Sequence, residues 1–154
     1  MNRDFLKQLI NRYEAAHFTV YRRLGALIKE QMDGSMTIDQ YSVIKYIRER
    51  GRCTSSELAE MFCVGKSSIT AIISRLFDKR LIQRKADEKD RRVTYLSLTS
   101  EGEQLAETLE GKIQRMLSSI MNHFHEQEAR AFIETYEKLA RVLAQPDGKG
   151  SNPG

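Results

Sequence analysis

Residues 54–99 read TSSELAEMFCVGKSSITAIISRLFDKRLIQRKADEKDRRVTYLSLT, and the changes of pattern inside this stretch set the fold. Thr54-Ser55-Ser56-Glu57 places a hydroxyl and a carboxylate three residues apart, the spacing that satisfies two of the free amides at a helix start. Leu58, Ala59 and Phe62 follow as its apolar positions. Val64-Gly65 breaks the pattern, and Lys66-Ser67-Ser68 opens a second helix with Ile69, Ile72, Ile73 and Leu76 facing inward. Two short helices joined by a tight, glycine-containing turn form a helix-turn-helix unit. After Arg80 the period falls to two. Leu81-Ile82-Gln83-Arg84-Lys85 and Val93-Thr94-Tyr95-Leu96-Ser97-Leu98 are β-prone runs, and the seven residues between them, nearly all charged, are too many for a two-residue turn and predict a protruding loop.

Upstream, apolar residues from Phe5 to Ile28 (Leu6, Leu9, Ile10, Tyr13, Val20, Tyr21, Leu24 and Leu27 among them) recur at helical spacing, with no proline before Asp33-Gly34-Ser35 ends the run. A helix of about 28 residues is roughly 42 Å long, more than so small a domain covers by itself, so part of its apolar face is expected to meet another chain. Thr37-Ile38-Asp39-Gln40 fits a second capping box, opening a helix with Ile38, Tyr41, Ile44 and Ile47 on one face and Gly51 at its end. Downstream, Thr99 or Ser100 caps a helix, with Glu103 completing Ser100-x-x-Glu103, and its stripe runs Leu105, Leu109, Ile113, Leu117, Ile120, Met121 and Phe124. A last helix carries Phe132, Ile133, Tyr136, Leu139, Ala140 and Leu143, and the polar tail from Gln145 is expected to be disordered. The fold class expected is mainly α with a small β-hairpin: a winged helix-turn-helix flanked by long helices.

The chain has 154 residues, room for one domain of ordinary size and too little for a multi-domain enzyme. Its charged residues (30%) and mean hydropathy of −0.52 describe neither a membrane protein nor a disordered chain. A net charge of +4 identifies no partner by itself, but its placement is informative. Residues 66–92 hold nine basic and four acidic side chains, a local +5, while the rest sums to −1. One basic segment on a neutral body suits a surface that meets a polyanion. Two cysteines, Cys53 and Cys63, are too few for a disulfide framework and are expected as small buried thiols in a reducing cytosol. No apolar stretch approaches a membrane span or a secretory leader, so no membrane partner is expected and the location expected is cytoplasmic. His123 and His125, two apart, point to different sides of a helix, and no metal or other cofactor is expected. No phosphate loop, nucleophile elbow or paired-histidine motif appears, which argues against an enzyme.

Over residues 5 to 143 the sequence resembles the MarR (multiple antibiotic resistance regulator) family of bacterial transcription regulators. The match is carried by Leu58-Ala59, Ser67-Ser68-Ile69-Thr70 and Leu76, then Leu81-Ile82-x-Arg84, and above all Asp90-Arg91-Arg92 followed by Leu98-Thr99-x-x-Gly102. The family usually has glycine just before Leu81-Ile82; here it is Arg80, a departure that alters the local turn or adds a phosphate contact. The resemblance implies that residues 35–99 bind duplex DNA, that residues 1–34 and 100–144 form dimerisation helices, and that a homodimer occupies a pseudo-palindromic operator, most often as a repressor.

The residues expected to carry this chemistry divide by role. The start of the second motif helix offers free N–H groups and the positive end of its dipole to a phosphate, with Lys66 beside them. Ser67, Ser68, Thr70, Ala71 and Ser74 are small enough to let the backbone into the major groove, with Thr70 or Ala71 reaching a thymine methyl, and Arg75 reaches guanine or phosphate. The plainer reading of Ser67 is a helix cap. Ser55 and Ser56 are candidate phosphate contacts. In the wing, the resemblance makes Arg92 a minor-groove arginine oriented by Asp90, with Lys89 and Arg91 on phosphates; the plainer reading is a solvated charged loop. Family members often bind small aromatic effectors, and Tyr13, His17, Tyr21 and Tyr41 border that region by resemblance, although aromatics at this spacing are commonly core. The family's oxidant sensing through a cysteine near the first helix has no residue here. A competing function is a protein-interaction module that keeps the winged-helix shape and uses its basic face on an acidic partner.

Overall fold

A computed structural model describes residues 1–145 and places six helices and one hairpin among them. The expected disordered tail lies, from residue 146 on, outside the described residues. The order is α1 (Arg3–Met32), α2 (Ile38–Arg50), α3 (Ser55–Met61), α4 (Lys66–Asp78), β1 (Ile82–Ala86), β2 (Thr94–Leu98), α5 (Ser100–Met121) and α6 (Glu126–Ala144). The chain divides into two compact units, Met1–Gln114 and Arg115–Gly154. No described helix is long and apolar enough to cross a membrane.

In the first unit, both early capping boxes form as their spacing requires. Thr37 Oγ1 accepts from the Gln40 amide and the Gln40 side chain accepts from the Thr37 amide; Thr54 and Glu57 make the same reciprocal pair. The core gathers Val43, Ile44 and Ile47 of α2, Leu58 of α3, Ile69, Ile73 and Leu76 of α4, Ile82, Leu96 and Leu98 of the hairpin, and Ala106, Leu109 and Ile113 of α5. β1 and β2 pair antiparallel, from Ile82 opposite Leu98 to Ala86 opposite Thr94. Cys53 adds an isolated bridge to the hairpin, exchanging both backbone bonds with Leu96 (3.0 and 2.7 Å).

Several details differ from the sequence reading, each for a local reason. Ile38 is 36% exposed, and Val43 takes the core place beside Ile44. Phe62, Ile72 and Leu105 are half-buried. The Ser100–Glu103 box does not form, because Thr99 is the residue held at the start of α5. Its hydroxyl donates to the Arg80 carbonyl (2.7 Å) and accepts from the Gly102 amide (3.1 Å), and its own amide donates to the Leu81 carbonyl (3.1 Å). Glu103 is turned instead to Arg48 (3.2 Å), whose guanidinium also meets Glu110 (2.5 Å) and so ties α2 to α5.

The turn between α3 and α4 uses no left-handed glycine. Gly65 is the extended N-cap of α4 (φ −72°), and the left-handed residue is Cys63 (φ +52°). The Cys63 amide donates to Glu60 and the Val64 amide to Ala59, the double closure that usually carries glycine. The expectation of two buried thiols therefore holds for Cys53 and fails for Cys63, which this turn exposes. α4 ends with the same closure: Arg80 (φ +60°) donates to Phe77 and Leu81 to Leu76. Where the family usually has glycine, Arg80 itself takes the left-handed conformation that glycine favours.

α1 buries only Met32, at its last residue, and leaves Phe5, Leu6, Leu9, Ile10, Tyr13, Val20, Tyr21 and Leu27 exposed. In the second unit, α5 ends at Met121, so Phe124 falls in the connection to α6 rather than on the stripe. α6 buries none of its residues, with Phe132, Ile133, Tyr136 and Leu143 exposed.

Candidate nucleic-acid interface

α4 buries Ile69, Ile73 and Leu76 and exposes Lys66, Ser67, Ser68, Thr70, Ala71, Ser74 and Arg75. This division follows from the 3.6-residue period and leaves a face of small polar side chains between two cations. No side chain caps the helix at Gly65, so the capping role open to Ser67 goes unfilled: Ser67 and Ser68 stand one and two residues inside the helix, in its first turn. Their positions put the first-turn amides, the dipole's positive end and Lys66 together, an arrangement that attracts phosphate oxygens. The Thr70 hydroxyl donates to the Lys66 carbonyl (2.6 Å), a bond back to the preceding turn that leaves Thr70 exposed on the helix surface. Ser55 and Ser56 are exposed on the first turn of α3, where Thr54 supplies the cap.

The wing loop is ordered by its own carboxylates. Asp90 accepts from the Arg92 amide (3.1 Å), from Arg92 Nε (3.1 Å) and from Arg92 Nη2 (3.3 Å). This pairing holds the Asp90 carboxyl below the usual range, first through the side-chain bonds and then through the backbone bond. The Arg92 side chain remains 91% exposed. It is therefore oriented without being buried, and most of its hydrogen-bonding edge stays available. Lys89 and Arg91 are exposed on either side of Asp90. At the base of the wing, the Arg84 guanidinium lies 4.8 Å from the centre of the Phe77 ring, joining β1 to the last turn of α4.

The four aromatic candidates do not form one group. Tyr13, His17 and Tyr21 stack in a row along exposed α1, with ring centres 5.6 and 5.9 Å apart. Tyr41 is buried on α2, where burial first, and then the Glu110 charge, raises its pKa. A separate open cleft of about 380 Å³ is lined by Met36, Thr37, Gln40, Arg75 and Lys79 among others, and by none of the four. Lys79 spans its wall, donating to the Ser35 carbonyl (2.8 Å) and to Gln40 Oε1 (3.1 Å). His123 packs its ring against the Ser119 carbonyl (3.1 Å) and His125 precedes α6; among the described residues no group of three metal-binding side chains comes together.

Sequence reasoning singled out the basic and small residues and missed those that organise them. Asp87 makes a short-range turn to the Lys89 and Asp90 amides, but in a run of charged residues nothing marks which carboxylate makes it. Arg52 and Tyr95 meet only through the hairpin register and the Cys53–Leu96 bridge. The Leu98-Thr99-x-x-Gly102 pattern did carry a usable signal. A Cβ at Gly102 would lie 2.1 Å from the Leu81 carbonyl oxygen, so the glycine marks where α5 crosses the start of the wing.

Comparison with known proteins agrees with this architecture. The sequence pattern of the MarR family matches residues 36–94. The helix-turn-helix-type transcriptional repressor MdtR of Bacillus subtilis is 30% identical over 144 residues, 92% of this chain and 92% of its own length. Among solved structures, a MarR family protein from Bacillus stearothermophilus superposes with a TM-score of 0.77 at 23% identity, covering 94% of this chain and 99% of its own. A mutant MarR from E. coli, complexed with operator DNA, gives 0.71 at 21% identity, with 88% and 95% covered. On its helix-turn-helix, its ordered wing and its likeness to the repressor over nearly the whole length, the chain belongs to the MarR family of transcriptional regulators.

Proposed function

We propose that this regulator is a cytoplasmic repressor that binds a pseudo-palindromic DNA operator as a homodimer and leaves it when a small aromatic molecule binds. Residues 35–99 form the DNA-binding part, and residues 1–34 and 100–144 supply the dimerisation helices. The observation that carries the reading is Arg92, exposed at the wing tip yet held at three points by Asp90. A narrow A·T-rich minor groove concentrates negative potential and accepts such a side chain, while Lys89 and Arg91 neutralise flanking phosphates. α4 enters the major groove through Ser67, Ser68, Thr70, Ala71 and Ser74, with Lys66 and Arg75 at its borders and Ser55 and Ser56 on the backbone.

The second copy is argued from the uncovered stripes. On α1 and, separately, on α6, apolar side chains stand in solvent at helical spacing. Each large side chain of this kind gains about 1.5–3 kcal/mol on full burial, so both helices have a strong reason to associate. A two-fold dimer sets its recognition helices about 34–36 Å apart, one turn of duplex, and this spacing requires an inverted-repeat operator. Among the relatives, the Bacillus subtilis protein is a transcriptional repressor and the E. coli protein binds operator DNA. The Tyr13–His17–Tyr21 row supplies aromatic faces for an effector, while Tyr41 is a buried phenol apart from that row; such a ligand releases DNA only if it favours the conformation that cannot bind it.

The test is a gel-shift titration on a duplex selected by the wild-type chain from a random library. Arg92→Ala is expected to cost about 1–3 kcal/mol and to relax the preference for A·T at the flanks. Lys89→Ala is expected to weaken all sequences alike and to reduce the salt slope by roughly one. Unchanged affinity in Arg92→Ala removes the wing from the interface, and a monomer in sedimentation equilibrium removes the dimer.

A further inference from the structure

The wing contains a second carboxylate whose contacts the reading above leaves unused. Asp87 follows β1 directly. Its amide donates to the Val93 carbonyl across the loop (2.9 Å), and its Oδ1 accepts from the amides of Lys89 (2.7 Å) and Asp90 (3.3 Å). The Val93 amide in turn donates to the Asp90 carbonyl (3.0 Å). Residue 90 is therefore held on its amide side by Asp87 and on its carbonyl side by Val93, and its carboxylate is the group that grips Arg92.

The relay is anchored at its base. The Cys53–Leu96 bridge sets the residues next to it, Arg52 and Tyr95, face to face, with the guanidinium 4.1 Å from the ring centre. Tyr95 pairs with Lys85 on β1, two residues before Asp87. The two backbone bonds, and then the Tyr95 hydroxyl and the Arg52 charge, hold the Asp87 carboxyl below the usual range and so keep it an acceptor. The bridge and the Arg52–Tyr95 stacking thus brace the β2 side of the wing beside the loop that Asp87 orders.

We infer that Asp87 is a positioning residue for DNA binding: by bonding the amides of Lys89 and Asp90 it fixes where the Asp90 carboxylate stands, and so where Arg92 points. The inference rests on the reading of Arg92 as the groove contact. An arginine has many rotamers, and confining them before DNA arrives removes part of the entropy lost on insertion. Asp87 stands in the loop and its Oδ1 accepts from the amides of Lys89 and Asp90, so its work is local order in the wing. Its negative charge alone would repel DNA, so deleting it should strengthen binding if charge were all that mattered.

The experiment measures fluorescence anisotropy of the library-selected duplex with four chains: Asp87→Ala, Asp87→Asn, Arg92→Ala and the Asp87→Ala/Arg92→Ala double variant, alongside wild type. Asp87→Ala should weaken binding roughly two- to tenfold, the range expected when one side chain loses its preset geometry. Asp87→Asn keeps an oxygen that accepts the same two amides and should match or exceed wild type. In the Arg92→Ala background, Asp87→Ala should cost nothing further, because the group it positions is gone, and only the small gain from a removed negative charge should remain. The inference is overturned if Asp87→Ala binds as wild type, if Asp87→Asn loses as much as Asp87→Ala, or if Asp87→Ala costs the same factor with and without Arg92. If Arg92→Ala itself has no effect, the groove reading fails first and the positioning role goes with it.

Discussion

Replacing Gly102 by alanine sets two opposing effects against each other. Alanine in a helix is favoured over glycine by about 1 kcal/mol, so a site with open space would gain. Here the added methyl would sit 2.1 Å from the Leu81 carbonyl oxygen and 3.0 Å from its carbon, both backbone atoms that no rotamer change can move. Restoring normal contact requires a shift of roughly 1 Å between the first turn of α5 and the start of β1. Three hydrogen bonds cross or border that contact: Thr99 amide to Leu81, Thr99 hydroxyl to Arg80, and Gly102 amide to Thr99. At about 1 kcal/mol each, with about 1–3 kcal/mol for overpacking, the losses exceed the helix gain and leave a net cost on the order of 3–5 kcal/mol. Urea denaturation followed by far-UV circular dichroism, at one fixed protein concentration because association shifts the midpoint, should show a midpoint about 1–2 M lower. A midpoint equal to wild type or higher would refute the argument that α5 is seated on Leu81.

Arg80→Gly should act in the opposite direction. A left-handed non-glycine residue costs about 1–2 kcal/mol and glycine gives back part of this in the unfolded chain, so a gain of roughly 0.5–1 kcal/mol in the same urea assay is expected, and a loss would count against the left-handed turn. The two thiols should separate cleanly with a water-soluble aromatic disulfide reagent. Cys63 is exposed and should react in the native protein, whereas burial first and the Glu57 charge next push Cys53 to about 11, so its thiolate is about a hundredfold scarcer and it should react only after denaturant is added. Equal native rates would contradict the Cys53–Leu96 bridge as described. Thr54→Ala removes the Glu57 amide's acceptor and should cost about 1 kcal/mol of stability, readable as a lower thermal midpoint; no change would mean the box is not holding α3.

The sequence made most of this fold legible because its strongest signals are local. Thr37 with Gln40, and Thr54 with Glu57, are pairs three residues apart, and the structure closes both. The helical stripes and the two β-prone runs are likewise read within a few residues of one another. What escaped depends on contacts made across the chain. Ser100-x-x-Glu103 is a sound capping pattern, but the Thr99 hydroxyl also reaches Arg80, nineteen positions away, and Glu103 is taken by Arg48. Gly65 looked like the hinge of the turn because glycine usually is, whereas Cys63 took the left-handed place two residues earlier. At the interface, the basic and small residues of α4 and the wing were visible as a local surplus of charge and a run of small side chains. The carboxylate that sets the geometry was not: Asp87 was counted only as an offset to the basic charge.

Cys63, in the turn that closes α3 and leads into α4, and Arg80, just past the end of α4, each take a conformation that glycine adopts without cost. Every codon for cysteine and for arginine lies one base from a glycine codon, so relief of either bend is a short mutational step. A population grown under heat, with no demand for gene control, should take these steps early and tighten the seat of the reading helix as a by-product. Carrying both strained residues leaves the chain a reserve of robustness at the margins of α4.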